Sequence, residues 1–184
     1  IDASMSIDHT KHSLFGCSKA AGDLYVQEYG RYYGLKTVCL RGGCLTGGSH
    51  RGTKLHGFMN YLIKCALSKK TYSVIGYKGK QVRDNVHAGD VARLCELIIS
   101  SDLDLSKFPI VANVGGGRKN SVSILELISI LKQDFDLHLD YTVESDSRIG
   151  DHQWYISSNT LLTELFGWSP ELSLNSIIDE TTSC

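Results

Sequence analysis

Segments with a helical period alternate with short β-branched segments from residue 13 onward. The clearest helix is predicted over about 54–68, where apolar residues recur at i, i+3, i+4 and i+7: Leu55, Phe58, Met59, Leu62, Ile63, Ala66 and Leu67. Further helices are predicted over 13–33, 90–100, 124–133, 159–166 and 174–182. Strands are predicted over 36–41, 72–76, 109–114 and 139–144, the last half-buried because apolar and polar residues alternate in it. This order predicts an α/β fold.

Composition narrows the class of protein. The 184 residues suffice for one ordinary domain, and the net charge is −1, with Lys and Arg spread along the chain. The absence of a basic stripe argues against nucleic-acid binding. No apolar run approaches the ~18 residues that a membrane span needs, and the polar N-terminus is unlike a signal peptide, so a cytoplasmic protein is expected. Because the first residue is Ile1, we expect the chain to start partway through a longer protein.

Metal sites and disulfides are not expected. The six cysteines form no CxxC pair: Cys17, Cys39, Cys44, Cys65, Cys95 and Cys184. We interpret them as small buried apolar side chains, and no activating partner marks Cys44 as a nucleophile. Asp84, His87 and Asp90 are interpreted as structural, fixing a turn and capping the next helix, rather than as metal ligands.

Glycine-rich stretches are common, but none is a dinucleotide fingerprint. No predicted strand is followed by G-x-G-x-x-G opening a helix. The nearest candidate, Gly115–Asn120, is interpreted as a turn, because Ser123 with Glu126 forms a capping box that starts the next helix later. Gly42–Gly52 is predicted to be a glycine-rich loop that lets a ligand approach the backbone.

Four stretches occur in a fixed order: FGCSKAAGDLYVQEYGRYYGL with TVCLRGGCLTG, GYKGKQVRDNVHAGDVARL, NVGGGRKNSVSILEL, and RIGDHQWYISSNTLLTELFGWSP. In these the sequence resembles the C-terminal part of extended short-chain dehydrogenases/reductases, the NAD-dependent nucleotide-sugar epimerases and dehydratases. Within that family it is similar to the CDP-paratose 2-epimerase group. The resemblance implies a Rossmann-like fold with a small substrate-binding subdomain.

The resemblance also implies how the chain is divided. Residues 1–52 would end the Rossmann-like core, and 53–184 would be mainly the substrate-binding region, with core elements interleaved near 84–114. The NAD-binding N-terminal half would lie upstream. NAD is therefore expected in the intact parent, whereas this chain alone should bind it weakly or not at all.

Phe15 and Lys19 lie four residues apart, so both project from one helix face. The resemblance implies that Lys19 holds the nicotinamide ribose and that a catalytic tyrosine belongs at position 15. Phenylalanine has no proton to transfer. Two explanations stay open: another group carries the proton, such as His12, Tyr25 or an upstream residue, or the protein is a non-catalytic relative that binds a nucleotide sugar or a protein. An unrelated structural α/β domain is disfavoured by the four ordered stretches.

The remaining site residues also follow from the resemblance. Gly42, Gly43 and Cys44 would lie beside the cofactor. Arg83 and Arg148 would clamp the diphosphate of a nucleotide sugar, a task that suits the planar guanidinium, although surface ion pairs such as Arg83 with Asp84 or Arg148 with Asp151 are the alternative.

The resemblance further implies that His56, Gly57 and Asn60, which open the helix over 54–68, meet the nucleotide or sugar. The substrate would then be converted through a transient keto intermediate. Helix 13–33 could pair with a second subunit in a homodimer. Its tyrosines, however, are interpreted as aromatics that pack the helix: Tyr25, Tyr29, Tyr32 and Tyr33.

Overall fold

The computed structural model describes residues 1–9, 11–54, 56–144 and 151–183; Leu55 and Arg148 therefore lie outside the described residues. The helices are α1 (Leu14–Tyr33), α2 (Phe58–Leu67), α3 (Ala88–Ile99), α4 (Ile124–Asp134), α5 (Thr160–Phe166) and α6 (Leu174–Ser183). The strands are β1 (Val38–Gly42), β2 (Cys44–Thr46), β3 (Tyr72–Val74), β4 (Val82–His87), β5 (Ile110–Val114), β6 (Ser121–Ser123), β7 (Tyr141–Val143) and β8 (Trp154–Tyr155). The predicted α/β class is confirmed.

Strand β4 is the centre of the sheet that carries Cys44 and Arg83. It pairs with β2 in parallel, with β6 antiparallel, and with β8 in parallel. Strands β1 and β5 form a separate parallel pair, and so do β3 and β7. The chain passes from β1 to β2 at Gly43, whose N–H donates to the Val114 carbonyl at 2.8 Å.

Helix ends follow the signals in the sequence. The Ser13 hydroxyl accepts a hydrogen bond from the Gly16 N–H and begins α1, and Gly34 ends it in the left-handed conformation. The predicted capping box of Ser123 and Glu126 is present at the start of α4. No helix within the described ranges is long and apolar enough to cross a membrane.

Two apolar clusters hold these elements together. The first joins α2, α4 and α6, and its fully buried members include Met59, Leu127 and Ile177. The second joins α3, α5, β4 and β5 around Leu94 and Trp168, whose indole N–H donates to the Asp90 carbonyl at 2.9 Å. The division of the chain near residue 52 into a core part and a substrate-binding part stays a prediction.

Three strand predictions were wrong. Strand β2 lies inside the stretch 42–52 predicted to be a loop, and β4 occupies residues where a turn was expected. Strand β2 is only three residues long and is only partly buried, and β4 carries polar side chains in succession, so period-2 alternation does not reveal either strand. Strand β7 is not half-buried: Tyr141 and Val143 are both exposed. Pairing on β3 alone leaves both of its faces uncovered by the described residues.

Two burial predictions were also wrong. The tyrosines of α1 do not pack the helix, since Tyr25, Tyr29, Tyr32 and Tyr33 are all exposed. Among the five described cysteines, all free thiols, only Cys65 is buried, whereas Cys17 and Cys95 are exposed. Apolar or aromatic residues on a helix identify an apolar face, but they do not show which other element, if any, packs against that face.

Candidate functional site

Two cavities meet at Asp151, which lines both. The inner cavity has a volume of about 180 Å³, and its lining includes Arg83, Cys44, His56 and Gln81. The outer cavity is about 1460 Å³ and is bounded by α1, the N-terminal segment and the end of β1. Each predicted site residue lines one or the other of these two cavities, with the exceptions described below.

Phe15 and Lys19 share the wall of the outer cavity, as their spacing predicts. The Lys19 Nζ lies 5.3 Å from the centroid of the Phe15 ring, within cation–π range. The Phe15 side chain is 67% exposed, so nothing in the described part of the chain covers it. The two side chains are therefore positioned to face a ligand in the outer cavity.

Groups that could carry a proton are also present in the outer cavity. His12 lines it, whereas Tyr25 is not among the described lining residues. The sequence reasoning did not find Tyr155, which lines the cavity from β8, half-buried, with its ring 5.5 Å from that of His152. Burial, followed by the charge of Asp84, raises the pKa of the Tyr155 phenol, so it stays protonated at neutral pH. No motif marks this tyrosine in the sequence.

Helix α1 is held to the rest of the protein by a polar cluster. The Asp23 carboxylate accepts hydrogen bonds from the Arg41 Nε–H at 2.8 Å, from the Arg41 Nη2–H at 3.1 Å and from the Cys39 thiol at 2.9 Å. Arg41 also donates to the Ala3 carbonyl. The Arg41 bonds hold the pKa of Asp23 below its usual range. Because Asp23 lies one turn after Lys19, this cluster fixes the part of α1 that faces the outer cavity.

The Gly42–Cys44 segment separates the two cavities. Gly42 lines the outer cavity and Cys44 the inner one. Gly43 packs so closely on the interior that a Cβ there would lie 2.9 Å from Asp84 Oδ1. Cys44 is partly buried, and the removal of its thiol from water raises the pKa of the thiol to about 11, so the thiol is protonated and a poor nucleophile at neutral pH.

Arg83 lies in the wall of the inner cavity, and its side chain is 15% exposed. Its Nη1 donates to the Val82 carbonyl at 2.8 Å, and its Nη2 pairs with Asp151 Oδ1 at 2.5 Å. Of the alternatives raised from the sequence, the ion pair with Asp84 is absent from the described contacts of Arg83. Its partner is Asp151, which the sequence had offered to Arg148. The predicted contact of Arg148 itself lies outside the described residues.

Asp84 is fully buried in strand β4 rather than in a turn. Its Oδ2 accepts hydrogen bonds from the N–H groups of Ser157 (2.9 Å) and Gly117 (3.1 Å). Its neighbours in the motif are structural as predicted: His87 caps α3, and Asp90 accepts two backbone N–H bonds from Glu171 and Leu172.

The segment before α2 contributes unequally to the inner cavity. His56 and Gly57 line it, although the helix begins only at Phe58. Asn60 is buried and lines neither cavity among the described residues; its Nδ2 donates to the Gly47 carbonyl at 2.9 Å. Asn60 thus holds the loop after β2 and has no access to a ligand in this arrangement.

The described residues fit one end of NAD and not the other. Lys19 offers a cation and hydrogen-bond donors at the open outer cavity, which suits a ribose. The glycine turn after β5 is no phosphate cradle, because a Cβ on Gly116 would lie 1.9 Å from the Asn85 carbonyl oxygen. That turn is packed against β4 and leads into a short 3₁₀ turn and β6, not into an α-helix N-terminus.

Comparison with known proteins agrees with this geometry. The profile of the NAD dependent epimerase/dehydratase family matches residues 2–115. The chain is 32% identical over 182 residues to CDP-paratose 2-epimerase of Salmonella typhi, covering 94% of this chain and 51% of that protein. The chain spans about half the length of the curated relatives it matches.

Solved structures show the same fold. UDP-glucose 4-epimerase of Thermotoga maritima, solved with UDP-glucose, superposes with a TM-score of 0.76 at 26% identity, over 92% of this chain and 52% of the other. UDP-glucuronic acid 4-epimerase of Bacillus cereus, solved with UDP-glucuronic acid and NAD, gives 0.79 at 24% identity, over 92% and 51%. With the match over residues 2–115, the chain belongs to the NAD-dependent epimerase/dehydratase family.

Proposed function

We propose that this chain is the C-terminal portion of an NAD-dependent nucleotide-sugar epimerase or dehydratase that works through a transient keto-sugar intermediate. The observation that carries the proposal is the pair of adjoining cavities, with Arg83 in the wall of one and Lys19 in the wall of the other. A nucleoside diphosphate in the inner cavity could extend its sugar past Asp151 toward Lys19. The similarity to relatives that act on nucleotide sugars supports this arrangement.

The inner cavity suits a nucleoside diphosphate by its chemistry. Arg83 and Lys54 bring positive charge to its wall, and a guanidinium can bond two phosphate oxygens at once. Phe58, Tyr72 and Ile75 supply apolar and aromatic wall on which a base could pack. Arg148 would complete the diphosphate contact as the second clamp, and His56 would contact the same ligand. The interior position of Asn60 argues against a direct contact from that residue.

In the outer cavity, Lys19 would bind the hydroxyls of the nicotinamide ribose and place the ring against the sugar. NAD would supply the hydride acceptor, and Gly42 and Gly43 would keep the backbone close to it. Phe15 cannot move a proton, so it would act as an apolar wall and leave the proton transfer to another group. Among the described residues, His12 and the protonated Tyr155 line this cavity and can exchange a proton.

A second function has one observation in its favour. Phe15 occupies the face one turn from Lys19 and has no hydroxyl, as expected of a relative that binds a nucleotide sugar without converting it. In an intact parent, conversion of a bound nucleotide sugar, followed by NADH absorbance in single turnover, separates the two. No absorbance change and no product would favour the binding function.

Assembly is a further part of the proposal. The aromatic row of α1 is exposed, so we propose that α1 pairs with α1 of a second copy in a homodimer. Sedimentation of the parent and of a Tyr25→Glu/Tyr29→Glu variant tests the pairing. The variant should be monomeric at concentrations where the wild type is dimeric, and a wild type that sediments as a monomer would exclude it.

The binding proposal is tested on this chain directly, because its own residues line the inner cavity. Arg83→Ala should weaken the binding of CDP and UDP sugars by ~1.5–3 kcal/mol, the range for hydrogen bonds to charged groups. Arg83→Lys should recover part of the loss, since lysine lacks the planar fork. Calorimetric titration measures both, with Arg118→Ala, an exposed arginine, as the matched control. Equal affinities for wild type and Arg83→Ala would reject the inner cavity as the diphosphate site.

A further inference from the structure

The boundary between the two cavities is formed by an ion pair. Asp151 lines both cavities, and its Oδ1 lies 2.5 Å from Arg83 Nη2. The Asp151 side chain is 32% exposed, twice the fraction of Arg83 at 15%, so the carboxylate is the less enclosed partner. Asp151 lies three residues before β8, whereas Arg83 lies inside the central strand β4. Of the two partners, Arg83 is held by strand pairing, and Asp151 lies outside the described strand pairs.

The fixed position of Arg83 follows from its contacts. Its backbone is held in β4 by pairing with β6 and β8, and its Nη1 is bonded to the Val82 carbonyl. A guanidinium has five N–H donors. One of them, on Nη2, is bonded to Asp151, which also lines the inner cavity, so an anion that binds Arg83 there competes for this donor. The carboxylate therefore occupies the place that an anionic ligand needs.

The charges of the inner cavity point the same way. Arg83 and Lys54 are the cations among its described lining residues, and Asp151 is the anion. While the Asp151 carboxylate stays beside Arg83, an arriving diphosphate meets a like charge in a confined space of about 180 Å³. If the carboxylate moves away from Arg83, the guanidinium can bond the diphosphate instead, and the boundary between the cavities opens.

We propose that Asp151 is a resident counter-ion of Arg83, which a phosphate-bearing ligand displaces when it binds. This rests on the proposed function, in which Arg83 binds the diphosphate. Displacement exchanges one ion pair for another and joins the inner and outer cavities into one elongated space. A ligand with its diphosphate at Arg83 and its sugar toward Lys19 requires such a space.

Displacement has a quantitative signature. If binding requires the state in which Asp151 is away from Arg83, every ligand loses affinity by the same factor, the fraction of molecules in that state. Removing the carboxylate should therefore raise the affinity of every ligand by that same factor. A carboxylate that stays in place and merely repels would instead penalise the more highly charged ligand more strongly. A carboxylate that contacts the ligand would strengthen binding, so its loss would weaken it.

The test titrates inorganic phosphate and inorganic pyrophosphate into the wild-type chain and into Asp151→Asn and Asp151→Ala. Both variants should bind both anions more tightly, by a shared factor on the order of 10-fold, the population penalty that the pair imposes. Two variants are needed because asparagine can still accept a hydrogen bond from Arg83, whereas alanine cannot. Asp102→Asn, an exposed aspartate on the loop after α3, controls for the change in net charge.

Each outcome bears on the proposal. A gain shared equally by phosphate and pyrophosphate, absent in Asp102→Asn, supports displacement. A gain clearly larger for pyrophosphate overturns it, because the carboxylate then stays in place. Unchanged or weaker binding in both Asp151 variants also overturns it. Arg83→Ala, titrated in parallel, distinguishes a failure of the displacement proposal from a failure of the proposed diphosphate site. If this variant binds pyrophosphate like wild type, the diphosphate site itself is wrong, whatever the Asp151 variants do.

Discussion

The two cavities are built differently. The inner cavity is small and is backed by the apolar cluster of α2, α4 and α6, and two of its lining residues, Arg83 and Gln81, lie in or beside the central strand β4. The outer cavity is eight times larger. Helix α1 forms one of its walls, and most side chains of α1 are exposed rather than packed against the described part of the chain. Gln27 and Gly30 are the α1 residues buried against the described chain.

This difference separates binding from chemistry. The parts that would hold a nucleoside diphosphate are fixed by core packing and strand pairing within this chain. The parts that would carry out hydride and proton transfer depend on α1, which is held through the polar cluster of Asp23 and Arg41. We therefore expect the inner cavity to keep its binding properties in the isolated chain and the outer cavity to show them only in the intact parent.

The largest expected effect concerns the packing behind each cavity. Leu127→Ala, in the fully buried cluster behind the inner cavity, should lower the free energy of unfolding by ~2–5 kcal/mol, the cost of a core cavity. Leu14→Ala, on the outer side, should change it by less than ~0.5 kcal/mol because Leu14 is 91% exposed. Urea denaturation measures both. Similar losses in the two variants would show that α1 is packed as firmly as the inner wall.

The second contrast is between thiols. The pKa of Cys44 is raised from 9.0 to about 11, chiefly by burial, so its thiolate fraction near pH 8 should be about 100-fold below that of an ordinary thiol. Iodoacetamide should modify the exposed Cys17 and Cys95 well before Cys44, and alkylation of Cys44 should accelerate as the pH rises toward 11. Mass spectrometry of peptides follows each site. Rapid labelling of Cys44 at pH 8 would mean that the inner wall is open.

The third prediction concerns NAD and the isolated chain. We expect NAD not to saturate the isolated chain at concentrations up to ~1 mM, so its binding free energy should be weaker than about −4 kcal/mol. The reason is that the described residues offer no cradle for the pyrophosphate of NAD. A CDP or UDP sugar titrated under the same conditions should bind measurably through Arg83. Lys19→Ala should weaken that second affinity less than Arg83→Ala does, since Lys19 lies on the outer cavity and only the sugar would extend toward it. Micromolar NAD binding would show that the cofactor site is complete in this chain.

The smallest effect on folding is expected from Phe15→Tyr. The side chain is largely exposed, so stability should change by less than ~0.5 kcal/mol. In an intact parent the new hydroxyl would face the Lys19 ammonium, whose charge lowers the pKa of a neighbouring phenol. The pH–rate profile should then shift, or hydride transfer should appear as NADH absorbance in a silent parent. An unaltered rate at every pH would mean that position 15 does not face the chemistry.

The sequence predicted helices better than strands. Long amphipathic segments with caps, such as α1 between Ser13 and Gly34, follow from local signals that do not depend on partners. Strand β4 carries Arg83, Asp84 and Asn85 in succession, so it lacks an apolar pattern, and its identity depends on the strands that pair with it. The same limit applies to the site. Motif residues identified Arg83 and Lys19, but the partner of Arg83 lies 68 residues away and Tyr155 belongs to no recognised motif.

The buried carboxylate of Asp84 has a consequence for how the protein opens. It ties strand β4 to Gly117 and Ser157, which belong to segments far apart in the chain. Peeling away the segment around Ser157 would leave a charged group with fewer hydrogen bonds in a dry interior, which is costly. The amide hydrogens of Gly117 and Ser157 should therefore exchange with solvent deuterium at one common rate, as members of a single cooperative unit. The segment that carries Asp151 to the inner cavity would then open and close together with strand β4, to which Ser157 ties it.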